Sequence, residues 1–320
     1  MVKLTATFLG TSAAAPTKTR ALPSVMLQRE GEILILDAGE GVQRQIMETG
    51  VGLNRETVIL ITHLHGDHVA GLLGLLWSMG LAGRTRQLTI VGPAPLARWL
   101  SVTSEILHMG LGTAFPVKFV SAHRGLVLRL PHFNVRAERA SHSVECFAYV
   151  LEEKPRPGIF HPEIARRLGV PEGKLWSRLQ RGKDVTVNGK RTRSSDVVGP
   201  PRPGRRVGYS GDTRPTRALE RFFAGCDLLI FDSTYGAGDS DKALEYKHST
   251  SVEAATLASS AKAKRLALTH FSARYTSVAR LLKEARSVFP NTFAAHDGLK
   301  VEVEYPVEAR ARQPGRSGPR

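Results

Sequence analysis

The segment Thr62-His63-Leu64-His65-Gly66-Asp67-His68 sets three imidazoles and a carboxylate within seven residues, directly after the apolar run Val58-Ile59-Leu60-Ile61. Side chains alternate along extended chain leaving a strand, so His63 and His65 are expected to point to the same side. Gly66 would allow a sharp bend, and Asp67 and His68 would return from the start of the next helix. Imidazole nitrogen and carboxylate oxygen suit zinc and similar cations. A lone histidine on an apolar strand is usually a satisfied core residue. Four ligating groups at a strand end instead read as one loop able to hold two cations.

One loop cannot complete two coordination spheres, so further ligands are expected from elsewhere. Three strand-like segments downstream end in suitable residues. The run VRAERASH ends at His142, RRVGYSGD at Asp212 and RLALTH at His270. Each alone also admits an ordinary structural reading. Together they could deliver one ligand each to a common sheet edge, where α/β active sites tend to lie. Asp212 is suited to bridge two cations with its two oxygens.

The elements that would position these groups alternate along the chain. Strands are expected at 5–10, 24–29, 32–37, 57–62, 87–92, 117–120, 126–130, 134–140, 146–151, 206–210, 228–232, 265–269 and 299–305. Helices are expected from 39–47 and at 72–79, 96–107, 217–223, 251–260 and 277–288. Strands mixed with helices throughout indicate a layered α/β protein. Residues 151–206 break the pattern. They are rich in Pro, Gly and Arg and hold fourteen basic against six acidic residues, a net of +8. Such a stretch is either functional or disordered. Apolar residues at 159–168 and 175–179 favour a protruding insertion with small folded pieces over a flexible linker. Residues 306–320 read as a disordered basic tail.

The chain has 320 residues, 42% hydrophobic and 23% charged, which is enough for one large α/β domain that folds without staples. No apolar run approaches the roughly 18 residues of a spanning helix, so a membrane-embedded protein is not expected. The N-terminus reads as a first strand rather than a secretory signal, which suggests a cytoplasmic location. Two cysteines, Cys146 and Cys226, cannot build a disulfide framework. The formal charge of +16 favours a polyanionic partner, nucleic acid first, although a basic surface can also serve solubility alone.

HLHGDH matches the HxHxDH signature of the metallo-β-lactamase superfamily, and His142, Asp212 and His270 follow in its usual order. The resemblance narrows to one branch, the ribonuclease Z family of tRNA 3′-processing endoribonucleases. FLGTSAAAPTKTR, GEGVQRQ, SGDTRP, YKHSTS and LTHFSARY resemble its motifs, and the basic insertion sits where the family carries its tRNA-gripping arm, with PGIF inside it. The match spans roughly residues 2–305. Two positions depart from the pattern: Ala21 stands where Asn is common, and Asp232 where a Glu is common.

The resemblance implies a four-layer αββα sandwich with a catalytic domain over 1–305 and an inserted tRNA-binding arm over 151–206. It implies two zinc ions per subunit, one held by His63, His65 and His142, the other by Asp67, His68 and His270, with Asp212 between them. Asp67 could also orient the attacking water, and His248 would be the proton donor, its ring held by Asp232. Read from its surroundings alone, His248 is as readily a helix cap beside Ser249 and Thr250. Lys18, Arg20, Arg44, Ser272 and Arg274 become candidate RNA contacts near the cut. Arg156, Arg166, Arg167, Lys174, Arg178, Arg181 and Lys183 become phosphate contacts of the arm. The implied reaction is removal of the 3′ trailer from precursor tRNA, leaving a 3′-hydroxyl and a 5′-phosphate, by a homodimer. His108, His123, His132, His161 and His296 lack partners at ligand spacing and read as structural or surface groups. Two competing readings are another hydrolase or phosphodiesterase of the same fold, which would need no basic arm, and a catalytically idle RNA-binding protein, which would need no intact ligand set.

Overall fold

The computed structural model describes residues 2–52, 54–110 and 114–306. From residue 307 on, the expected tail lies outside the described residues. The chain divides into two compact units. One is formed by the residues up to Glu153 with Arg206–Glu304, the other by Lys154–Arg205 with Tyr305.

The larger unit is built on two seven-stranded sheets. In the first the order is Lys300–Glu302, Leu4–Gly10, Ser24–Arg29, Glu32–Leu36, Glu56–Leu60, Leu88–Gly92 and Val117–Ser121. Its first four strands run antiparallel to their neighbours, and its last four run parallel. In the second the order is Thr292–Ala294, Leu266–Thr269, Leu228–Asp232, Arg206–Tyr209, Phe147–Glu153, Phe133–Arg139 and Gly125–Arg129. The first four strands of this sheet are parallel and the rest antiparallel.

Strand periodicity decides how the sheets stack. Alternate residues such as Leu4, Ala6 and Phe8 of the first sheet share one buried cluster with Val135, Tyr149, Val207 and Ile230 of the second. The opposite face of the first sheet, through Met26, Ile35, Ile59 and Ile90, is covered by helices Val42–Glu48, Gly71–Leu81 and Pro95–Ile106. The opposite face of the second, through Val150, Phe231 and Leu268, is covered by helices Arg217–Phe222, Ser251–Ser260 and Ala279–Arg286. The result is the four-layer αββα sandwich. The inner parallel strands Glu56–Leu60, Leu228–Asp232 and Leu266–Thr269 are buried on both faces, which is why they read as apolar runs, whereas the edge strand Val117–Ser121 is only half-buried.

Several expected elements shift. The helix expected from 39–47 begins at Val42 because Gly41, at φ +81°, precedes it. The strand expected at 57–62 ends at Leu60, which leaves Thr62 and His63 free of the ladder. The last helix spans Ala279–Arg286, shorter at both ends than expected, and a further strand, Thr292–Ala294, follows it where none is expected. Among the described residues no helix is long and apolar enough to cross a membrane.

The smaller unit is more regular than its Pro and Gly content suggests. Helices Pro162–Arg167, Lys174–Gln180 and Ser194–Val197 and the hairpin Val185–Val187/Lys190–Thr192 enclose a core of Ala165, Val170, Leu179, Val185 and Val197. Phe160 and Trp176 pack against that core.

Candidate metal centre

The chain leaving the ends of the parallel strands supplies most of the site, and the antiparallel strand Phe133–Arg139 supplies His142. His63 and His65 leave the strand Glu56–Leu60, and Asp67 and His68 lie in the one-turn helix Gly66–Val69. The bend there does not use glycine's freedom: Gly66 has no positive φ, and a Cβ on it would meet nothing within 4 Å. Gly211 does use it. It sits at φ +57°, and a Cβ there would lie 2.8 Å from the Thr62 side chain, so only glycine lets the next residue, Asp212, reach its place. His142 follows the strand Phe133–Arg139, and His270 follows Leu266–Thr269.

Among the described residues three groups of potential ligand atoms, each within 4.8 Å across, share Asp212: one joins it and His270 to Asp232 and His248, and the two that take in the expected ligands are His63, His65, His142 and Asp212, then Asp67, His68, Asp212 and His270. Asp212 belongs to both. Its Oδ2 lies 3.6 Å from His63 Nε2 and 3.9 Å from His142 Nε2, while its Oδ1 lies 3.3 Å from Nε2 of both His68 and His270. His65 Nδ1 approaches His63 Nε2 at 3.1 Å and His142 Nε2 at 3.2 Å. His68 Nε2 and His270 Nε2 stand 3.2 Å apart, and Asp67 Oδ2 is 3.5 Å from each.

These spacings test the fit of a cation. Ligands bonded at about 2.0 Å on a tetrahedron stand about 3.3 Å from one another. The observed separations of 3.1–3.9 Å bracket that value. Asp212 Oδ1 is buried and has no hydrogen-bond partner, which a carboxylate oxygen tolerates poorly. The residues therefore fit divalent metal ions.

Four of the five ligating imidazoles are held by their other nitrogen. His68 Nδ1 donates to Asp37 Oδ2 at 2.7 Å, and His142 Nδ1 to the carbonyl of Lys247 at 3.1 Å. Thr62 Oγ1 is 2.9 Å from His63 Nδ1, and Thr234 Oγ1 is 2.8 Å from His270 Nδ1. Such partners orient ligating histidines. Ala14, whose N–H donates to Asp67 Oδ2 at 2.9 Å, Asp37, Lys247 and His270 all sit near φ +60°. For residues with a Cβ that conformation costs about 1–3 kcal/mol, and such strain gathers at functional sites.

The electrostatics are those of a site built for positive charge. Burial would raise the Asp212 carboxyl, but the imidazoles of His270, His68 and His63 outweigh it and hold it well below the usual carboxylate range. Burial likewise would discharge His68, yet Asp212 and Asp37 hold it well above its ordinary value. Burial, with the neighbouring His68, pushes His63 well down. A metal ion competes with protons for these lone pairs, so its binding releases them.

His248 is not the helix cap. Thr250 caps Ser251–Ser260, its Oγ1 accepting from Glu253 N at 3.2 Å while Glu253 Oε2 accepts from Thr250 N at 2.9 Å. Arg214 clamps this turn, pairing with both oxygens of Glu253 and donating to the His248 carbonyl at 2.7 Å. The His248 ring is left to donate from Nδ1 to Asp232 Oδ2 at 2.9 Å, and it stacks on His270 with centroids 5.2 Å apart. Burial would lower its pKa, but Asp232 outweighs this and His248 is raised to about 9. At neutral pH the ring carries a proton.

The candidate RNA contacts divide between the two units. Lys18, Arg20 and Arg44 line a cleft of about 480 Å³ with Glu40 and Asp297. Arg20 is tied down, donating to the Tyr275 carbonyl at 3.1 Å and lying over the Phe271 ring, whereas Lys18 and Arg44 are exposed. Arg274 donates to Ser272 Oγ at 3.1 Å. In the smaller unit Arg166, Arg167, Lys174, Arg178, Arg181 and Lys183 are exposed. Arg156 is half-buried over the Tyr305 ring and, with Arg181, borders a cleft of about 910 Å³.

Asp37 is not among the residues that the sequence singles out. It ends an apolar strand, as many unremarkable acids do. Its only signal is its place before Ala38-Gly39 at the end of a strand bound for the same sheet edge as His63. Thr62, Thr234, Tyr209 and Cys146 carry no stronger signal. Tyr209 Oη donates to Asp37 Oδ2 at 2.8 Å, and Cys146 Sγ lies 3.7 Å from His63 Nδ1.

Two family models match the chain: one described as anti-Pycsar protein Apyc1 over residues 4–118, the other as a beta-lactamase superfamily domain over residues 180–271. Ribonuclease Z of Nitrosopumilus maritimus is 44% identical over 297 residues, covering 93% of this chain and 99% of that protein. Ribonuclease Z of Methanothermobacter thermautotrophicus is 44% identical over 299 residues, covering 93% and 96%. Among solved structures, the short form of human tRNase Z aligns with a TM-score of 0.69 at 28% identity, covering 94% of this chain and 99% of that one. Identity of this order along nearly the whole of both chains goes beyond a shared fold, and the chain belongs to the ribonuclease Z family.

Proposed function

We propose that the chain is a zinc-dependent endoribonuclease that removes the 3′ trailer from precursor tRNA. The observation that carries this reading is the pair of ligand groups sharing Asp212 in a chain of the ribonuclease Z family. One zinc would be held by His63, His65 and His142, the second by Asp67, His68 and His270, with Asp212 serving both. Two such ions supply an activated water at neutral pH and offset the negative charge of a phosphodiester under attack.

The protein's own groups do the rest. Asp67 orients the attacking water. Water adds to phosphorus and gives up one proton, which Asp67 is placed to accept, the bond from phosphorus to the tRNA 3′-oxygen breaks, and that oxygen needs a proton. His248 supplies it from Nε2, because its Nδ1–H is engaged by Asp232. The products are a tRNA ending in a 3′-hydroxyl and a trailer beginning with a 5′-phosphate. The shorter Asp232 still reaches His248, so the departure from the Glu common in the family is compatible with the role.

Lys18, Arg20, Arg44, Ser272 and Arg274 are assigned to RNA near the cut. Arg156, Arg166, Arg167, Lys174, Arg178, Arg181 and Lys183 are assigned to tRNA phosphates. Folded RNA is recognised mainly by shape and backbone, so exposed cations on a small folded unit suit this task. The functional unit is proposed to be a cytoplasmic homodimer. An apolar cleft lined by Leu76, Trp77, Leu81, Met109 and Phe115, with Trp77 and Leu81 largely exposed, offers a surface that a second copy could cover.

The test is incubation of the zinc-loaded protein with a 3′-extended precursor tRNA. Cleavage next to the discriminator base with the stated end groups is expected. No cleavage by protein verified to hold zinc would overturn the reading.

A further inference from the structure

Asp37 and Asp232 are buried carboxylates at strand ends of different sheets. Each accepts from four donors. Asp37 takes the N–H and Oγ1 of Thr62, Nδ1 of His68 and Oη of Tyr209. Asp232 takes the N–H groups of Thr213 and Thr234, Oγ1 of Thr234 and Nδ1 of His248. Each carboxylate thus holds one histidine directly and reaches a second through a threonine: His63 through Thr62, and His270 through Thr234.

We infer that Thr62 and Thr234 are positioning residues, whose hydroxyls relay the two buried carboxylates to His63 and His270, fix the proton of each ring on Nδ1 and leave Nε2 free for a cation. A hydroxyl has one proton and two lone pairs. The Thr234 hydroxyl lies 2.7 Å from Asp232 Oδ1 and 2.8 Å from His270 Nδ1. The carboxylate can only accept, so the hydroxyl proton goes to it, and the hydroxyl can only accept from the ring. Nδ1 must therefore be the protonated nitrogen, and Nε2 faces Asp212 and Asp67 as a lone pair. The same logic holds for Thr62, at 2.9 Å from both Asp37 Oδ2 and His63 Nδ1. The opposite tautomer would turn each hydroxyl away from its carboxylate and leave a buried acceptor short of a donor, which is costly.

A local turn explains part of this at one position only. Asp232 and Thr234 are two residues apart, and an Asp side chain often caps the backbone two residues on. That accounts for the contact between them but not for His270 Nδ1 on the far side of the hydroxyl. Thr62 has no such turn, because its carboxylate lies 25 residues earlier on a neighbouring strand. Two different local routes thus arrive at the same three-group relay.

The inference rests on the metal-site reading above, and its test separates the two. Thr234→Val and Thr62→Val keep shape and remove the hydroxyl, while Thr234→Ser restores it. Zinc affinity of the full chain is measured by chelator competition. Partners of this kind are typically worth about 10–100-fold in metal affinity, so each valine variant should lose that much, and Thr234→Ser should stay within about 3-fold of the parent. A parent chain that takes up no zinc overturns the metal-site reading itself. A parent that loads zinc beside a Thr234→Val variant that loads it equally well overturns the relay alone, as does a serine variant as weak as valine. If the valine variants fail to fold, ring ¹⁵N spectra of the metal-free parent, recorded where the imidazoles are neutral, decide: His63 and His270 should be the Nδ1–H tautomers, and the Nε2–H tautomers would overturn the relay.

Discussion

The metal centre and the unit Lys154–Arg205 solve opposite problems, the first with histidines and aspartates, the second with arginines and lysines. At the centre, ligating groups are buried or half-buried, and His63, His68, His142 and His270 each have a second nitrogen committed to a partner. In the smaller unit Arg166, Arg167, Lys174, Arg178, Arg181 and Lys183 are exposed, and a core of five buried apolar residues supports them. Coordination and proton transfer tolerate errors of about 0.5 Å, so the groups that perform them must be locked by a supporting shell. Phosphate contact tolerates side-chain freedom, because charge acts over several ångströms and carries no sequence information. The contrast predicts all-or-none effects at the centre and graded, salt-dependent effects in the smaller unit.

Asp212→Asn should produce the largest loss. The amide keeps the shape but removes the charge that both ligand groups share, and it puts N–H donors where lone pairs must converge. Turnover of precursor tRNA should fall by more than about 10³-fold and the zinc content should drop, while tRNA affinity holds. Retained turnover would break the claim that the two groups act as one centre. His248→Ala comes next. Removal of a general acid typically costs about 10²–10⁴-fold, and here zinc content and tRNA binding should both stay at the parent level. A variant that lost zinc in step with activity would make His248 a ligand rather than a proton donor, an outcome its place near Asp212, Asp232 and His270 makes worth measuring.

Replacement of residues 155–205 by a short turn sharpens the other side of the comparison. Glu152 pairs with Arg206 across adjacent antiparallel strands, so the cut ends already stand where a hairpin can join them. Hydrolysis of a small phosphodiester should survive, whereas tRNA affinity should collapse. If Arg156, Arg166, Arg167, Lys174, Arg178, Arg181 and Lys183 all meet phosphates, the slope of log affinity against log salt should flatten by about 5–6. Unchanged tRNA affinity would leave these cations without their assigned role.

The two regions also differ in how much of them is legible in the sequence. The ligand set is legible because the chemistry restricts the residue types, and because His63 and His270 each follow an apolar run whose end is easy to see, at Ile61 and at Leu268. The strands Ser24–Arg29 and Leu228–Asp232 and the helix Ser251–Ser260 have the bounds the apolar pattern suggests. The shell behind the ligands is not legible. Asp37, Thr62 and Thr234 matter through one contact each to a histidine, and those contacts depend on the register between strands, such as Leu36 against Leu60, rather than on local spacing. The core of the smaller unit is legible only in part, through the apolar residues at 159–168 and 175–179, and the rest is hidden for another reason. Ala165, Val170, Leu179, Val185 and Val197 follow no helical or strand period, and the prolines and glycines between them suggest irregular chain. Those residues turn the chain between short elements instead of preventing them.

Single cations of the smaller unit should give the smallest effects, and their ranking tests whether that unit acts through charge alone. Lys174, Arg178 and Lys183 are exposed, and alanine at any one of them should weaken tRNA binding a few-fold and lower the salt slope by about 0.7–0.9 for each phosphate that the side chain neutralises. Arg166 differs: its guanidinium lies 5.1 Å from the Trp176 ring centroid and 3.5 Å from Glu172. Trp176 packs against the small core, so Arg166→Ala removes packing as well as charge. It should therefore cost more affinity than Lys183→Ala for the same change in slope. Equal losses at all four positions would mean that the unit is a rigid platform indifferent to its own side-chain packing. A larger loss at Arg166 with an unchanged slope would assign that residue to the fold of the unit, and leave the phosphates to its neighbours.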